Sequence, residues 1–358
     1  MTAPTSRTSR LSVAAKISSI VIATATVFSL AGCSTGGSAQ ASSSSASAST
    51  ASGFPLTLKS PVGDATIKSQ PKRVSTIGWI SQDAVLSLGV VPVDMPKITY
   101  GDTDGDGLLE WTKAALEKLG ATGDKAPALH DETDDIDAEA IAATEPDVIL
   151  GTQSGITEKQ YATLSKIAPT VAYPDVAWAA PWRQVVTRSA QALGLEKKGK
   201  QVIADDEKSI ANELAKYPQL KNKTASVMYF DTAKMSSITV YTTTDAREKY
   251  LNDLGFTTPD SVKKLSKGNT DFYATVSSEH ADDFDDIDII VTYGDSTTLK
   301  ALQSDPLMSK IPAVKRGSVV VVDNSSSLAA AVSPSSLSIP ATIKQYTKML
   351  AAAVDKVK

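Results

Sequence analysis

The chain has 358 residues, a formal net charge of −4, one cysteine and two histidines. So small a charge argues against a broad basic face for nucleic acid. A lone cysteine excludes an internal disulfide, and two histidines disfavour a metal site built on several imidazoles.

The leading segment has Arg7, Arg10 and Lys16 ahead of an apolar, largely uncharged run from Ile17 to Ala31. A basic stretch, a short apolar stretch and then small residues read as a secretory leader. The run is too short and too rich in Ser, Thr and Ala for a spanning helix, which needs about 20 strongly apolar residues. It ends in Leu30-Ala31-Gly32-Cys33, and the only cysteine stands where the small residues stop. This resembles the bacterial lipoprotein lipobox. The resemblance implies cleavage before Cys33, a diacylglycerol on its sulfur, and a protein held by lipid on the outer face of the cytoplasmic membrane. The alternative is an ordinary leader with an incidental cysteine. Ser34 to Gly53 is almost entirely Ser, Ala, Gly and Thr. Such a segment cannot bury a core and serves as a flexible tether.

The folded body starts near Phe54 and reads as two similar halves. Pro71 to Trp79 is a short β-rich run ending in a turn; Ser81 to Leu88 has helical spacing, and Val90 to Val93 is a second apolar run. Asp137 to Thr144 is helical, Glu145-Pro146 breaks it, and Asp147 to Leu150 is a buried strand. A helix from Thr157 to Ile167 and a strand from Thr170 to Tyr173 follow. The plan then recurs. Ala225 to Phe230 is a strand, Asp245 to Leu254 a helix, Asp288 to Val291 a strand, Ser296 to Gln303 a helix and Ser318 to Val322 a strand. β-Branched runs alternating with helices predict an α/β protein with parallel sheets covered on both faces. Between the halves, Glu196 to Tyr217 has no proline, and Val202, Ile203, Ile210 and Leu214 recur at helical spacing. One long helix ending at Pro218 is predicted. The organisation is therefore a leader over residues 1–32, a tether over 33–53, an α/β lobe over 54–195, a connecting helix over 196–217 and a second α/β lobe over 218–358.

Pro71-Lys72-Arg73-Val74, the Leu86-Ser87-Leu88-Gly89-Val90-Val91-Pro92-Val93 stretch, and Glu139 followed by Pro146-Asp147-Val148-Ile149 complete the pattern. Together with the lipobox and the connecting helix, they resemble the substrate-binding lipoproteins of bacterial ABC importers for iron-siderophores, haem and cobalamin. The resemblance implies two Rossmann-like lobes with mainly parallel sheets, joined by one long α-helix, with a ligand cleft between them. It implies capture of a ferric siderophore as the transported ligand, no intrinsic cofactor, and delivery to a permease dimer with its ATPase, by a monomer. A haem or cobalamin ligand is the alternative within the family. It also implies that one Glu on each lobe docks on permease arginines. Glu139 matches by its place before Pro146-Asp147, and Glu279 by its place before the strand at Asp288, one residue further off. Two separated carboxylates can orient a protein on two basic pockets.

Ligands of open α/β folds sit beyond the carboxyl ends of strands. The residues there are Trp79 and Gln82, Tyr100, Gln153 and Ser154, then Trp178, Trp182 and Arg183 in a loop, then Tyr241, Arg247 and Tyr293. Aromatic faces with a few donors suit a bulky chelate with an apolar shell and an oxygen-rich metal centre. Arginine can hydrogen-bond the chelating oxygens. Few cleft arginines and net acidity favour a near-neutral hydroxamate over a highly anionic tris-catecholate. Arg73 reads as structural, and Trp111 as core or rim in a helix reaching Leu119. Asp102-Thr103-Asp104-Gly105-Asp106-Gly107 resembles half of an EF-hand loop, but Lys113 stands where the bidentate glutamate belongs, so a turn is predicted. Haem would need an axial histidine or tyrosine, and His130 has acidic neighbours. An enzyme is disfavoured: there is no Gly-x-Ser-x-Gly, no HExxH and no P-loop. A secreted cell-wall hydrolase using paired carboxylates is the distant alternative.

Overall fold

Residues 53–357 are described by a computed structural model. Cys33, the leader and most of the tether lie outside the described residues. An antiparallel hairpin comes first, β1 (Leu56–Leu58) and β2 (Ala65–Ile67), paired Leu56 to Ile67 and Leu58 to Ala65. Its alternation turns Leu58, Ala65 and Ile67 inward against Val74, Val85, Val148 and Leu150.

The first lobe runs β3 (Val74–Thr76), α1 (Ser81–Ser87), β4 (Asp94–Pro96), α2 (Glu110–Lys118), β5 (Ala128–His130), α3 (Ala138–Ala143), β6 (Val148–Leu150), α4 (Glu158–Leu164), β7 (Thr170–Val171) and α5 (Trp182–Ala192). Its sheet is wholly parallel in the order β5-β4-β3-β6-β7. Every residue of β3 and β6 is buried, as central strands covered on both faces must be. Asp147 fixes the start of β3. Its carboxylate accepts the Lys72 and Arg73 amides at 2.8 and 2.9 Å. Arg73 Nε donates to the Glu145 carbonyl at 2.8 Å, just beyond the carboxyl end of α3, where a cation is favoured. Arg73 thus acts on the fold. Asp288 and Arg316 repeat the device in the second lobe: Asp288 accepts the Thr224 amide at 3.1 Å, and Arg316 donates to the Ile287 and Asp288 carbonyls.

α6 (Glu196–Leu214) follows, 19 residues or about 28 Å long. It packs on α5, where a Cβ on Gly199 would come within 2.6 Å of the Ala190 methyl, so the two helices approach at a glycine. The second lobe runs β8 (Ala225–Phe230), β9 (Ser237–Tyr241), α7 (Ala246–Asp253), α8 (Asp260–Ser266), β10 (Tyr273–Ser277), β11 (Ile289–Gly294), α9 (Thr298–Ser304), α10 (Pro312–Arg316), β12 (Val319–Asp323), α11 (Ser327–Ala331) and α12 (Ser338–Val354). Its sheet has the order β10-β9-β8-β11-β12.

Three expectations need correction. The second sheet is mixed, because β9 runs antiparallel to both β8 and β10. Neither β9 nor β10 is foreseen from the sequence: both alternate more and less buried residues rather than forming a continuous apolar run. The apolar run at Val90–Val93 is not itself the strand, which starts at Asp94. Gly89, at φ +82°, turns the chain out of α1, and Pro92 has no amide to give the ladder. Finally, Trp182 and Arg183 are not in a loop; they open α5, with Pro181 as the capping residue.

The largest apolar cluster crosses between the lobes. Ala84, Ile98, Trp111, Trp182 and Val186 of the first share it with Val227, Tyr250, Ile339 and Tyr346 of the second. Asp83 is sealed at this junction. It accepts hydrogen bonds from Trp111 Nε1 (2.7 Å), Thr112 Oγ1 (2.8 Å) and, across the lobes, Ser335 Oγ. Burial pushes its pKa up to about 6, against those three hydrogen bonds.

Candidate functional site

A cavity of about 610 Å³ opens between the lobes. That is the size of a small-molecule site. Trp79, Tyr100, Gln153 and Trp178 line it from the first lobe. Tyr229, Tyr241, Arg247, Phe272, Tyr293 and Asn324, with Ala329, Ala330 and Ser333, line it from the second.

The first-lobe wall is set by two loops that hold each other. Trp79 follows Gly78, which lies at φ +77°, and a Cβ there would meet the Gln153 carbonyl at 2.6 Å. Only glycine permits that approach. The Trp79 amide donates to the same carbonyl at 2.8 Å. The Gly78 amide donates to Glu132 at 3.0 Å, and Glu132 in turn pairs with His130 Nε2 at 2.9 Å. His130 Nδ1 faces Asp94 at 2.9 Å. Burial would lower the His130 pKa, yet the two carboxylates more than offset it and hold the ring up to about 9. Trp178 sits in the left-handed region at φ +63°, tied by its amide to the Ser154 carbonyl (2.9 Å) and by its carbonyl to Gln153 Nε2 (3.1 Å). Its indole lies on bare Gly155.

On the second-lobe wall Asp245 caps α7 and also grips Arg247 with both oxygens at 2.8 Å. Arg247 lies over the Tyr241 ring, 3.9 Å from its centroid. Burial opposes its charge, but Asp245 and the nearby tyrosines hold its pKa well above the usual value. It stays a cation, and Asp245 balances it. Burial raises the pKa of Tyr241 and Tyr293 and pushes Tyr100 up to about 12. These phenols therefore stay protonated and can donate hydrogen bonds. Tyr100 Oη reaches across the lobes to Asn324 Oδ1 at 2.8 Å.

Of the residues read from the sequence, Trp79, Tyr100, Gln153, Trp178, Tyr241, Arg247 and Tyr293 come together on the cavity wall. Four others do not. Gln82 is buried in α1, and its amide has no protein partner. Ser154 is buried and donates to the Gly151 carbonyl at 2.7 Å. Trp182 is 2% exposed, and its Nε1 donates to Asp253 at 3.0 Å. Arg183 is held by Glu207 and Asp253, both at 2.7 Å. Trp182 and Arg183 therefore tie α5 to α6 and α7 instead of facing the cavity. Glu139 and Glu279 are exposed in the first turns of α3 and of the 3-10 segment Ser278–Phe284, off the cavity wall. His130 also lies off it, which removes it as an axial ligand. Asp102 accepts the Gly105 and Gly107 amides at 2.8 Å, and Lys113 bridges Asp104 and Asp106, so this loop is a turn with its cation built in.

Tyr229, Phe272, Asn324, Ala329, Ala330 and Ser333 are wall residues that the sequence reading misses. Asn324 was within reach, since it follows β12 as Tyr293 belongs to β11. Tyr229 and Phe272 depend on the antiparallel strands.

A family model described as "Periplasmic binding protein" matches residues 78–325. The probable siderophore-binding lipoprotein YfiY of Bacillus subtilis is 31% identical over 278 residues, 75% of this chain and 80% of that one. The iron(3+)-hydroxamate-binding protein YxeB of the same organism is 26% identical over 272 residues, 75% and 77% of the two chains. The crystal structure of Streptococcus pneumoniae TIGR4 PiaA in complex with ferrichrome aligns with a TM-score of 0.81 at 39% identity, covering 85% of this chain and all of that one. The family match takes in parts of both lobes, and the chain belongs to the periplasmic binding protein family.

Proposed function

We propose that this protein captures a ferric hydroxamate siderophore outside the cell and delivers it to an ABC importer. The observation that carries this reading is the chemistry of the cavity wall. Seven of its thirteen residues are aromatic, and Arg247, the charged one, is already balanced by Asp245. Aromatic faces cover the apolar shell of a chelate, and the guanidinium and protonated phenols donate to its oxygens. A tris-catecholate would bring several negative charges to a wall with no net charge to offer. PiaA is seen with ferrichrome, a ferric hydroxamate, and YxeB is named for hydroxamates, which supports the same class.

The test is a titration of tryptophan emission with a ferric hydroxamate, a ferric catecholate, ferric citrate and haem. Trp79 and Trp178 face the cavity and report on its filling. The hydroxamate should quench at the lowest concentration, without turnover. Tighter binding of the catecholate or of haem would overturn the assignment.

The reading includes a lobe over residues 54–195, a strut over 196–217 and a lobe over 218–358, behind a leader and a tether anchored through lipid on Cys33. Cys33→Ala should then release the protein from washed membranes. Glu139 and Glu279 are assigned to permease docking, supported by their exposure away from the cavity. Reversing both charges should block uptake with ligand affinity unchanged; a matching loss of affinity would place them in the binding site instead.

A further inference from the structure

The mixed sheet of the second lobe carries its aromatic residues unevenly. The register sets Tyr229 opposite Thr239, Tyr241 opposite Tyr273, Thr239 opposite Thr275 and Ser237 opposite Ser277. Opposed residues share a face, and so do residues two apart along a strand. These seven therefore stand on one side of β8, β9 and β10, and none is buried. The other side, with Met228, Phe230, Ile238 and Val240, is core. Along the open side the rows run from Ser237 and Ser277, through Tyr229, Thr239 and Thr275, to the aromatic pair Tyr241 and Tyr273. Tyr229 and Tyr241 line the cavity. Tyr273 does not, but it packs edge-on against Phe272, which does, with ring centroids 5.0 Å apart.

Pairing of the strands does not require this polarity, since Thr239 and Thr275 continue the same face with hydroxyls. Exposure points to the same place. Among the described residues six large apolar side chains are exposed, and Tyr100, Trp178 and Tyr229 of these line the cavity while Tyr273 adjoins it. A soluble surface does not gather its bulky aromatics around one opening without a use for them.

We propose that Tyr273, flanked by Phe272 and by Tyr241 opposite it on β9, forms a shelf outside the cavity that holds a flat, uncharged substituent projecting from the metal-binding core of the chelate. The proposal rests on the hydroxamate reading. The cavity takes the iron centre, and the open sheet face continues its wall toward solvent. Ring faces stack on aryl or planar amide groups, and the phenol and threonine hydroxyls keep the empty shelf hydrated.

The test uses two probes with the same iron centre and the same charge: ferric desferrioxamine B, a linear trihydroxamate, capped at its terminal amine with either acetyl or benzoyl. The wild-type protein should bind the benzoyl chelate about three- to tenfold more tightly than the acetyl one, the range of a single aromatic contact. Tyr273→Ser should remove that preference while leaving the acetyl chelate within about twofold of wild type, and Tyr273→Phe should retain it. No preference in the wild type, or equal losses for both chelates in Tyr273→Ser, overturns the shelf and leaves the hydroxamate reading standing. Binding of neither chelate to the wild type overturns both.

Discussion

Gly155 and Arg247 each do something at the cavity that no neighbouring residue type could do. A Cβ on Gly155 would fall 1.9 Å from Trp178 Nε1, and Trp178 has little freedom to retreat because its strained backbone is held at both ends. Gly155→Ala should therefore swing the indole off the wall and weaken chelate binding by about 1–3 kcal/mol, the scale of a central contact. Fluorescence titration reads this, and the emission of the empty protein should shift as well. An unchanged affinity would mean that the indole does not touch the ligand. At Arg247 the two-pronged grip of Asp245 and the ring of Tyr241 fix a plane, not merely a charge. Arg247→Lys keeps the charge and loses the plane. A roughly tenfold or greater loss of affinity is expected, and a lysine variant that binds like wild type would show that charge alone suffices.

At the scale of elements, α6 carries a buried acid. Asp206 is 6% exposed, with Oδ2 lacking a protein partner. Burial, helped by Asp205, pushes its pKa from 3.8 to about 7. The folded state thus holds a proton that the unfolded chain has released above about pH 4. Stability is present in full below that point and is lost as pH rises through 7. Asp206→Asn should be near neutral at pH 4 and stabilising by about 1–3 kcal/mol at pH 8 in urea unfolding. A variant equally stable or weaker at pH 8 would show that the carboxylate has a partner when ionised. Elements also show what the sequence could and could not disclose. β8 and β6 were legible because their mostly buried, largely apolar runs are bounded by turns, and α6 because its apolar spacing is unbroken by proline. The strand-end rule found seven wall residues for the same reason. It failed where a residue close in sequence to a strand end belongs to another surface. Trp182 and Arg183 follow Tyr173, but Pro181 starts a helix that turns them toward Asp253, a contact between residues about 70 apart. β9 and β10 have alternating faces, and only their pairing shows that Tyr229 and Phe272 reach the cavity.

At the scale of the two lobes together, the described residues are built to move little. A flexible two-strand hinge permits wide closure, whereas a continuous helix resists bending. α6 packs on both α5 and α12 along its length. Apolar side chains of the two lobes fill one cluster at its side, so opening the cleft widely would expose Trp111, Trp182, Tyr250 and their neighbours to water. Polar ties reinforce the junction: Asp83 with Ser335, Asp253 with Trp182 Nε1 and Arg183, and Lys249 Nζ with the Ala179 carbonyl. Across the cavity itself there is the Tyr100–Asn324 hydrogen bond, which is exposed and easily exchanged for water. Ligand entry therefore needs the side chains at the mouth to shift rather than the lobes to swing. The radius of gyration should change by about an ångström or less when a ferric hydroxamate is added. Small-angle scattering with and without the chelate measures this. Asp253→Ala supplies the contrast, because it removes the acceptor shared by Trp182 and Arg183 and should permit a larger change. A compaction of several ångströms in the wild type would mean that α6 and the shared core do not brace the two lobes.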